Sequence, residues 1–116
     1  MSNSIFCIQL GKRIKELREE KEITQEMLAE KAEYTSGKGM ISKIENGNTE
    51  PPVSKLFKIA DALGTNIAYL MGWDDSLKTL TQQEYELLLL FRNATNEGKM
   101  LAIGNLQASQ QDARVG

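Results

Sequence analysis

Residues 24–46 read TQEMLAEKAEYTSGKGMISKIEN, which is two short amphipathic segments joined by a polar turn with two glycines. Thr24 stands directly before the first segment, and a threonine hydroxyl at that position satisfies an amide of a helix's first turn. In the second segment Ile41 and Ile44 share one face, so the opposite face is free to contact another molecule. Two short helices with a tight turn between them predict a helix-turn-helix, whose second helix enters the major groove of DNA.

The flanking sequence predicts three more helices. Residues 5–21 have apolar side chains at intervals of three and four, with lysine, arginine and glutamate between them. A fourth helix follows the two prolines and ends before Gly64, and a short fifth helix covers residues 67–71. Together the five helices predict an all-α domain over residues 5–73.

The composition excludes several classes of protein. The 116 residues include one cysteine, Cys7, and no histidine, so the chain has no intramolecular disulfide, no Cys/His zinc site and no catalytic triad that depends on imidazole. Cys7 lies on the apolar face of the first helix, where we expect it to be part of the core. We expect no metal, no cofactor and no enzymatic activity.

Charge and hydropathy limit the partners. The 14 basic and 16 acidic residues give a net charge of −2, so a polyanion must be bound by a local patch rather than by overall charge. The N-terminus lacks the charged region and apolar core of a secretory signal, and the longest apolar run, residues 87–91, is far shorter than a bilayer span. We therefore expect a cytoplasmic protein with no membrane partner.

Five stretches of the chain, in order, resemble the lambda-repressor-like, Xre-type helix-turn-helix domain. They are residues 10–18 (LGKRIKELR), 24–29 (TQEMLA), 41–47 (ISKIENG), 56–64 (LFKIADALG) and 69–72 (YLMG). Each stretch is common by itself, but all five at this spacing are specific. The resemblance implies a five-helix lambda-repressor-like DNA-binding domain, and it covers more than half of the chain.

The resemblance also implies roles for individual residues. Gln25 would donate to a DNA phosphate, Lys43 would reach a guanine edge or a phosphate, and Asn46 would hold the backbone across the groove. Arg18 and Glu45 correspond to a partly buried ion pair with a structural role. The complete set of predicted DNA contacts is Gln25, Ser36, Lys38, Gly39, Met40, Ser42, Lys43 and Asn46.

The turn before the third helix departs from the family pattern. Eight residues, 33–40, separate Ala32 from Ile41, which is two more than is usual in the family. Gly37 and Gly39 stand where the third helix normally starts. The register of Lys38 and Met40 in the groove therefore stays open. Met40 is either a probe for a thymine methyl or a packing residue, and Ser36 either caps the helix or contacts a phosphate.

A second part of the chain follows residues 74–80, which we expect to be a linker. Thr81 to Glu84 has the spacing of a capping box, and a leucine-rich helix follows it. With a weaker helix over residues 99–110, it predicts a helical hairpin over residues 81–111. The leucines either pack on the first domain or form a dimer interface, and we favour the dimer. The expected dimerisation residues are Leu87, Leu88, Leu90 and Phe91.

The sequence therefore predicts a sequence-specific DNA-binding transcriptional regulator. We expect a homodimeric repressor of phage or mobile-element type on a palindromic operator, because two linked half-sites raise both affinity and specificity. The expected partners are double-stranded DNA and a second copy of the chain, with an antirepressor or a toxin protein as a further candidate. Two alternatives stay open: an antitoxin of a toxin–antitoxin pair, and a protein-interaction module that has lost DNA binding.

Overall fold

The computed structural model describes residues 4–94 and 97. The α-helices are α1 (Ile5–Glu20), α2 (Gln25–Lys31), α3 (Lys38–Glu45), α4 (Val53–Leu63), α5 (Ile67–Leu70) and α6 (Gln82–Asn93), and a 3-10 helix covers Asp75–Leu77. The described residues contain no strand. The predicted all-α class is confirmed, whereas the second helix of the predicted hairpin, residues 99–110, lies outside the described residues.

Local capping explains where the helices begin and end. The side chains of Ser4, Thr24 and Asn66 each accept a hydrogen bond from the backbone amide three residues further on, at 3.0 to 3.1 Å. At the other end of α4, Gly64 adopts a left-handed conformation with φ of 67°, which glycine reaches without strain. These signals are local in sequence, and they set the helix boundaries close to the predicted ones.

The chain divides into two compact units, the first ending at Gln83 and the second beginning at Glu84. The buried apolar core lies in the first unit. Cys7 is only 1% exposed, as predicted for a core residue. The largest fully buried apolar side chains come from α1 to α5. They are Leu10, Ile14, Leu28, Ile41, Ile44, Ile59, Leu63 and Leu70.

A glycine allows α1 and α3 to approach each other closely. A Cβ atom placed on Gly11 would lie 2.2 Å from the carbonyl oxygen of Ile44 and 2.7 Å from that of Glu45. Both distances are shorter than a van der Waals contact, so only glycine fits at this point of α1. The C-terminal turn of α3 is therefore seated directly on the backbone of α1.

Residues 74–80, the expected linker, are hydrogen-bonded to the helices before them. The Thr65 hydroxyl donates to the carbonyl of Lys78 at 2.8 Å, and the Asn66 amide donates to two further carbonyls of the segment at 2.7 and 2.8 Å. The side chain of Gln82, the first residue of α6, accepts from a backbone amide of α5 at 2.8 Å. Thr65 and Asn66 are completely buried, so their polar atoms need these partners inside the fold.

Candidate nucleic-acid interface

Helix α3 is held by one face and displays the other. Ile41 and Ile44 are at most 1% exposed, and Glu45, one residue further on, is 7% exposed. The residues on the opposite face reach solvent, Met40 and Ser42 partly and the rest fully. The displayed residues are Lys38, Gly39, Met40, Ser42, Lys43 and Asn46. A major groove about 12 Å wide accommodates one helix displayed in this manner.

The C-terminal end of α3 is anchored by a buried ion pair. The Arg18 guanidinium donates to both oxygens of the Glu45 carboxylate, at 2.6 and 3.1 Å, and to the carbonyl of Ile23 at 2.8 Å. The Arg18 side chain is 12% exposed and that of Glu45 is 1% exposed. The hydrogen bond to Glu45 raises the pKa of Arg18 above its ordinary value. The pair is thus bidentate and largely shielded from solvent.

Gln25 shares this carboxylate. Its side-chain amide donates to the Glu45 carboxylate at 3.0 Å, a contact that sequence reasoning missed. An amide nitrogen has two N–H groups, and the second one is not needed for this bond. Gln25 is the first residue of α2, Arg18 is on α1 and Glu45 is on α3, so one carboxylate links the three helices.

The longer turn between α2 and α3 is open to solvent on its outer side. Glu33 has a φ of 59°, and Gly37, the N-cap of α3, has a φ of 75°. Apart from the adjoining residues and the backbone of α3 itself, no described atom lies within 4 Å of a Cβ placed on Gly37 or Gly39. The N-cap of α3 is Gly37, so Ser36 does not occupy the capping position, and its side chain is exposed. α3 begins at Lys38, so Gly37 directly precedes its first turn and Gly39 lies within it.

The inner side of this turn contacts α4. The Lys55 ammonium donates to the carbonyl of Ala32 at 3.1 Å and to that of Glu33 at 2.7 Å. The same nitrogen lies 4.6 Å from the centre of the Tyr34 ring. One turn further along α4, Lys58 forms an ion pair with the Glu33 carboxylate. Sequence reasoning did not identify either lysine, because neither lies in the helix-turn-helix motif itself.

The predicted dimerisation residues differ in their exposure. Leu87 is 50% exposed and Leu90 is 69% exposed, whereas Leu88 and Phe91 are half-buried. Leu89, which was not predicted, is 39% exposed. Leu87 and Leu90 are three residues apart on α6, so they share one face of the helix.

The described residues contain neither a cluster of metal-ligating side chains nor a helix that could cross a membrane. Among residues 4–94 and 97, no three acidic or cysteine side chains come close enough to hold a metal ion. In the same part of the chain, no helix has both the length and the apolar character that a bilayer crossing requires.

Comparison with known proteins gives three similarities. A model of the helix-turn-helix family matches residues 14–70. The immunity repressor protein of Bacillus phage phi105 is 36% identical over 76 residues, which are 66% of this chain and 51% of that protein. This chain thus spans about half the length of that relative. Among solved structures, a chain of a SinR protein/SinI protein complex is 27% identical with a TM-score of 0.49, over 89% of this chain and 98% of that chain.

Proposed function

Since residues 14–70 belong to the helix-turn-helix family, a family of DNA-binding transcriptional regulators, we propose that this chain binds a specific DNA sequence through α3. We further propose that residues 5–73 are the DNA-binding domain and that residues 81–111 dimerise. The protein is then a homodimeric repressor of phage or mobile-element type, which occludes a promoter by binding a palindromic operator. The similarity to a phage immunity repressor supports the repressor role.

The observation that carries the proposal is the division of α3 into two faces. Its buried face is fixed by two isoleucines and Glu45, so the displayed face has a defined orientation. Lys43 lies near the middle of the displayed face and suits a guanine edge or a phosphate. Lys38 at the start of α3 and Asn46 at its end extend the contact along the groove, while Ser42 and Met40 line it.

Gln25 is proposed to contact a phosphate beside the groove. The bond to Glu45 consumes one N–H of its amide and holds the side chain in place. The other N–H then donates to DNA without further ordering of the side chain, which lowers the entropic cost of the contact.

Dimerisation would provide the affinity that a near-neutral chain lacks. Non-specific binding by one helix-turn-helix is weak, with a Kd of about 10⁻⁴ to 10⁻⁶ M at physiological salt. Two half-sites about one helical turn apart combine two such contacts on one duplex. The exposed Leu87 and Leu90 supply an apolar face on α6 for a second copy. Light scattering should show a dimer for the full chain and a monomer for Leu87→Asp/Leu90→Asp, with Glu86→Gln on the same helix as the control.

The experiment that tests DNA recognition is selection of bound duplexes from a random pool at physiological salt. The full chain should enrich a palindrome, and the double variant Lys38→Ala/Lys43→Ala should not. Lys12→Ala/Lys15→Ala, two exposed lysines on α1, is the matched control for the loss of two charges. Enrichment of nothing, or of the same duplexes by all three proteins, would contradict specific binding and favour a protein partner instead.

A further inference from the structure

We propose that Lys55 is a positioning residue for the recognition helix: it holds the long α2–α3 turn by two backbone carbonyls and so sets where α3 begins. The inference rests on the proposed function and extends it to a residue outside the helix-turn-helix. A lysine on a DNA-binding domain is usually interpreted as a phosphate contact. The geometry of Lys55 points to an internal role instead.

The contacts of Lys55 are directed inwards. Its ammonium donates to the carbonyls of Ala32 and Glu33, at 3.1 and 2.7 Å, and sits over the face of the Tyr34 ring. The last carbonyls of a helix have no intrahelical partner, and a cation beside them is favourable. Lys55 is half-buried, so its charge is used at the end of α2 rather than displayed to a ligand.

The turn has few other internal restraints. Its N-cap residue, Gly37, has no side chain to bond the first amides of α3, and its outer side is open to solvent. Among the backbone hydrogen bonds that close the turn, the two nearest α3 are the longest. The Tyr34 amide donates to the Ala29 carbonyl at 2.8 Å, the Gly37 amide to the Tyr34 carbonyl at 3.2 Å, and the Met40 amide to the Gly37 carbonyl at 3.4 Å.

Lys55 therefore restrains the N-terminal end of α3, and the Arg18–Glu45 pair restrains the C-terminal end. Lys38 and Gly39 at the N-terminal end are exposed and directly follow the turn. If the Lys55 clamp is removed, α3 can pivot about its C-terminal anchor. The displayed side chains then no longer meet the base edges in one fixed register, while the charge presented to phosphates is unchanged.

The test compares three variants of the full chain. Lys55→Met removes the ammonium but keeps an unbranched side chain, and Lys55→Gln keeps a shorter N–H donor. Lys58→Met is the matched control, because it removes a cation from the same helix and breaks a pair with the Glu33 carboxylate without touching the turn carbonyls. Far-ultraviolet circular dichroism, which reports helix content, establishes that each variant is folded at the temperature used.

The first measurement is hydrogen exchange of the Tyr34, Gly37 and Met40 amides. Exchange at these positions should be fastest in Lys55→Met, intermediate in Lys55→Gln and unchanged in Lys58→Met. The Asn46 amide, which donates to the Ser42 carbonyl at 3.0 Å at the far end of α3, should not change in any of them. Equal exchange in Lys55→Met and Lys58→Met would overturn the inference. Should Lys55→Met fail to fold, the comparison of Lys55→Gln with Lys58→Met decides.

The second measurement is affinity for the operator and for a random duplex across salt concentrations. Lys55→Met should weaken operator binding roughly three- to tenfold, the equivalent of one hydrogen bond, and leave random-duplex affinity and the salt slope unchanged. A salt slope reduced by about 0.9, with parallel loss on both duplexes, would mean a phosphate contact and would overturn the inference. If the wild-type chain binds no operator, the proposed function fails, and the exchange measurement still decides the role of Lys55.

Discussion

The two ends of α3 are held by different chemistry. At its C-terminal end, a carboxylate that is 1% exposed receives three hydrogen bonds from the side chains of Arg18 and Gln25. At its N-terminal end, the glycine-flanked turn is held through backbone carbonyls, which accept from the Lys55 side chain. The first anchor joins ionised side chains out of water, and the second joins a half-exposed cation to neutral acceptors.

Because of this difference, the C-terminal end of α3 depends more on residue identity than the N-terminal end does. A buried charge must keep its partner, because an unpaired charge in the interior is very costly. A turn held through carbonyls keeps its acceptors whatever the residues are, so it tolerates insertion and substitution. We therefore expect the N-terminal turn to tolerate a change in length, and the C-terminal anchor to depend on Arg18, Gln25 and Glu45.

The largest expected effect is at the C-terminal anchor. Glu45→Ala leaves Arg18 buried without its partner and removes the acceptor of Gln25. We expect the free energy of unfolding to fall by about 3–5 kcal/mol in urea titrations near neutral pH. The surface pair of Lys78 and Glu20, which is 35% and 54% exposed, is the control. Glu20→Ala should cost less than about 1 kcal/mol, and equal losses for the two variants would refute a special role for the buried pair.

The second effect concerns the contact of α1 with the same end of α3. Gly11→Ala places a Cβ 2.2 Å from the Ile44 carbonyl oxygen, so the helices must separate. We expect a loss of about 1–3 kcal/mol in the free energy of unfolding. Gly39→Ala is the control at the other end, where a Cβ would meet no described atom within 4 Å outside the adjoining residues and the α3 backbone. It should stabilise α3 by roughly 0.5–1 kcal/mol. A Gly11→Ala variant as stable as wild type would show that the crossing is not tight.

The third effect lies between the two anchors, on the displayed face. Lys43→Ala should weaken operator binding by about 1–3 kcal/mol without changing the free energy of unfolding. If Lys43 reads a base, the preference at one operator position is relaxed. If it meets a phosphate, all sequences weaken together and the salt slope falls by about 0.9. Lys15→Ala, on the exposed side of α1, should leave operator affinity as it is, and an unchanged affinity for Lys43→Ala would contradict its role.

The smallest effect concerns the surface pair beside the N-terminal turn. The hydrogen bond from Lys58 lowers the pKa of Glu33 below its ordinary value of 4.5. The pair therefore contributes stability above pH 4.5, and this contribution is lost as the pH falls through the lowered pKa. Glu33→Gln should flatten the stability profile slightly in that acidic range, and 1 M salt should have the same effect. An identical profile for Glu33→Gln and wild type would show that the Lys58–Glu33 pair makes no pH-dependent contribution to stability.

Local signals in the sequence were sufficient for most of the helical architecture. The expected helices over residues 5–21 and 67–71 agree with the observed α1 and α5 to within a residue. Capping residues, helix-ending glycines and apolar spacing act within a few residues of one another, so they can be recognised without knowing the fold. The pairing of Arg18 with Glu45 was implied by the family resemblance rather than by spacing.

Contacts that join distant residues could not be predicted in this way. Gln25 and Glu45 are 20 residues apart, and Lys55 and Glu33 are 22 residues apart. Nothing in the local pattern distinguishes Lys55 from a solvated lysine. The same limit applies to the hydrogen bonds from Thr65 and Asn66 to residues 74–80, because nothing local in the sequence indicates that these side chains donate to carbonyls 11 to 14 residues further on.

Sequence patterns were enough to predict the all-α class, the approximate ends of the described helices, and the apolar and polar faces of α3. These properties follow from periodicity, caps and turn residues, which act over a few positions. The contacts that hold α3 are visible only in the folded structure: a glycine that admits its carbonyls, a carboxylate shared by three helices, and a lysine from α4 at its turn. Each of these depends on which side chains meet when the helices pack, and packing brings together residues that the sequence keeps far apart.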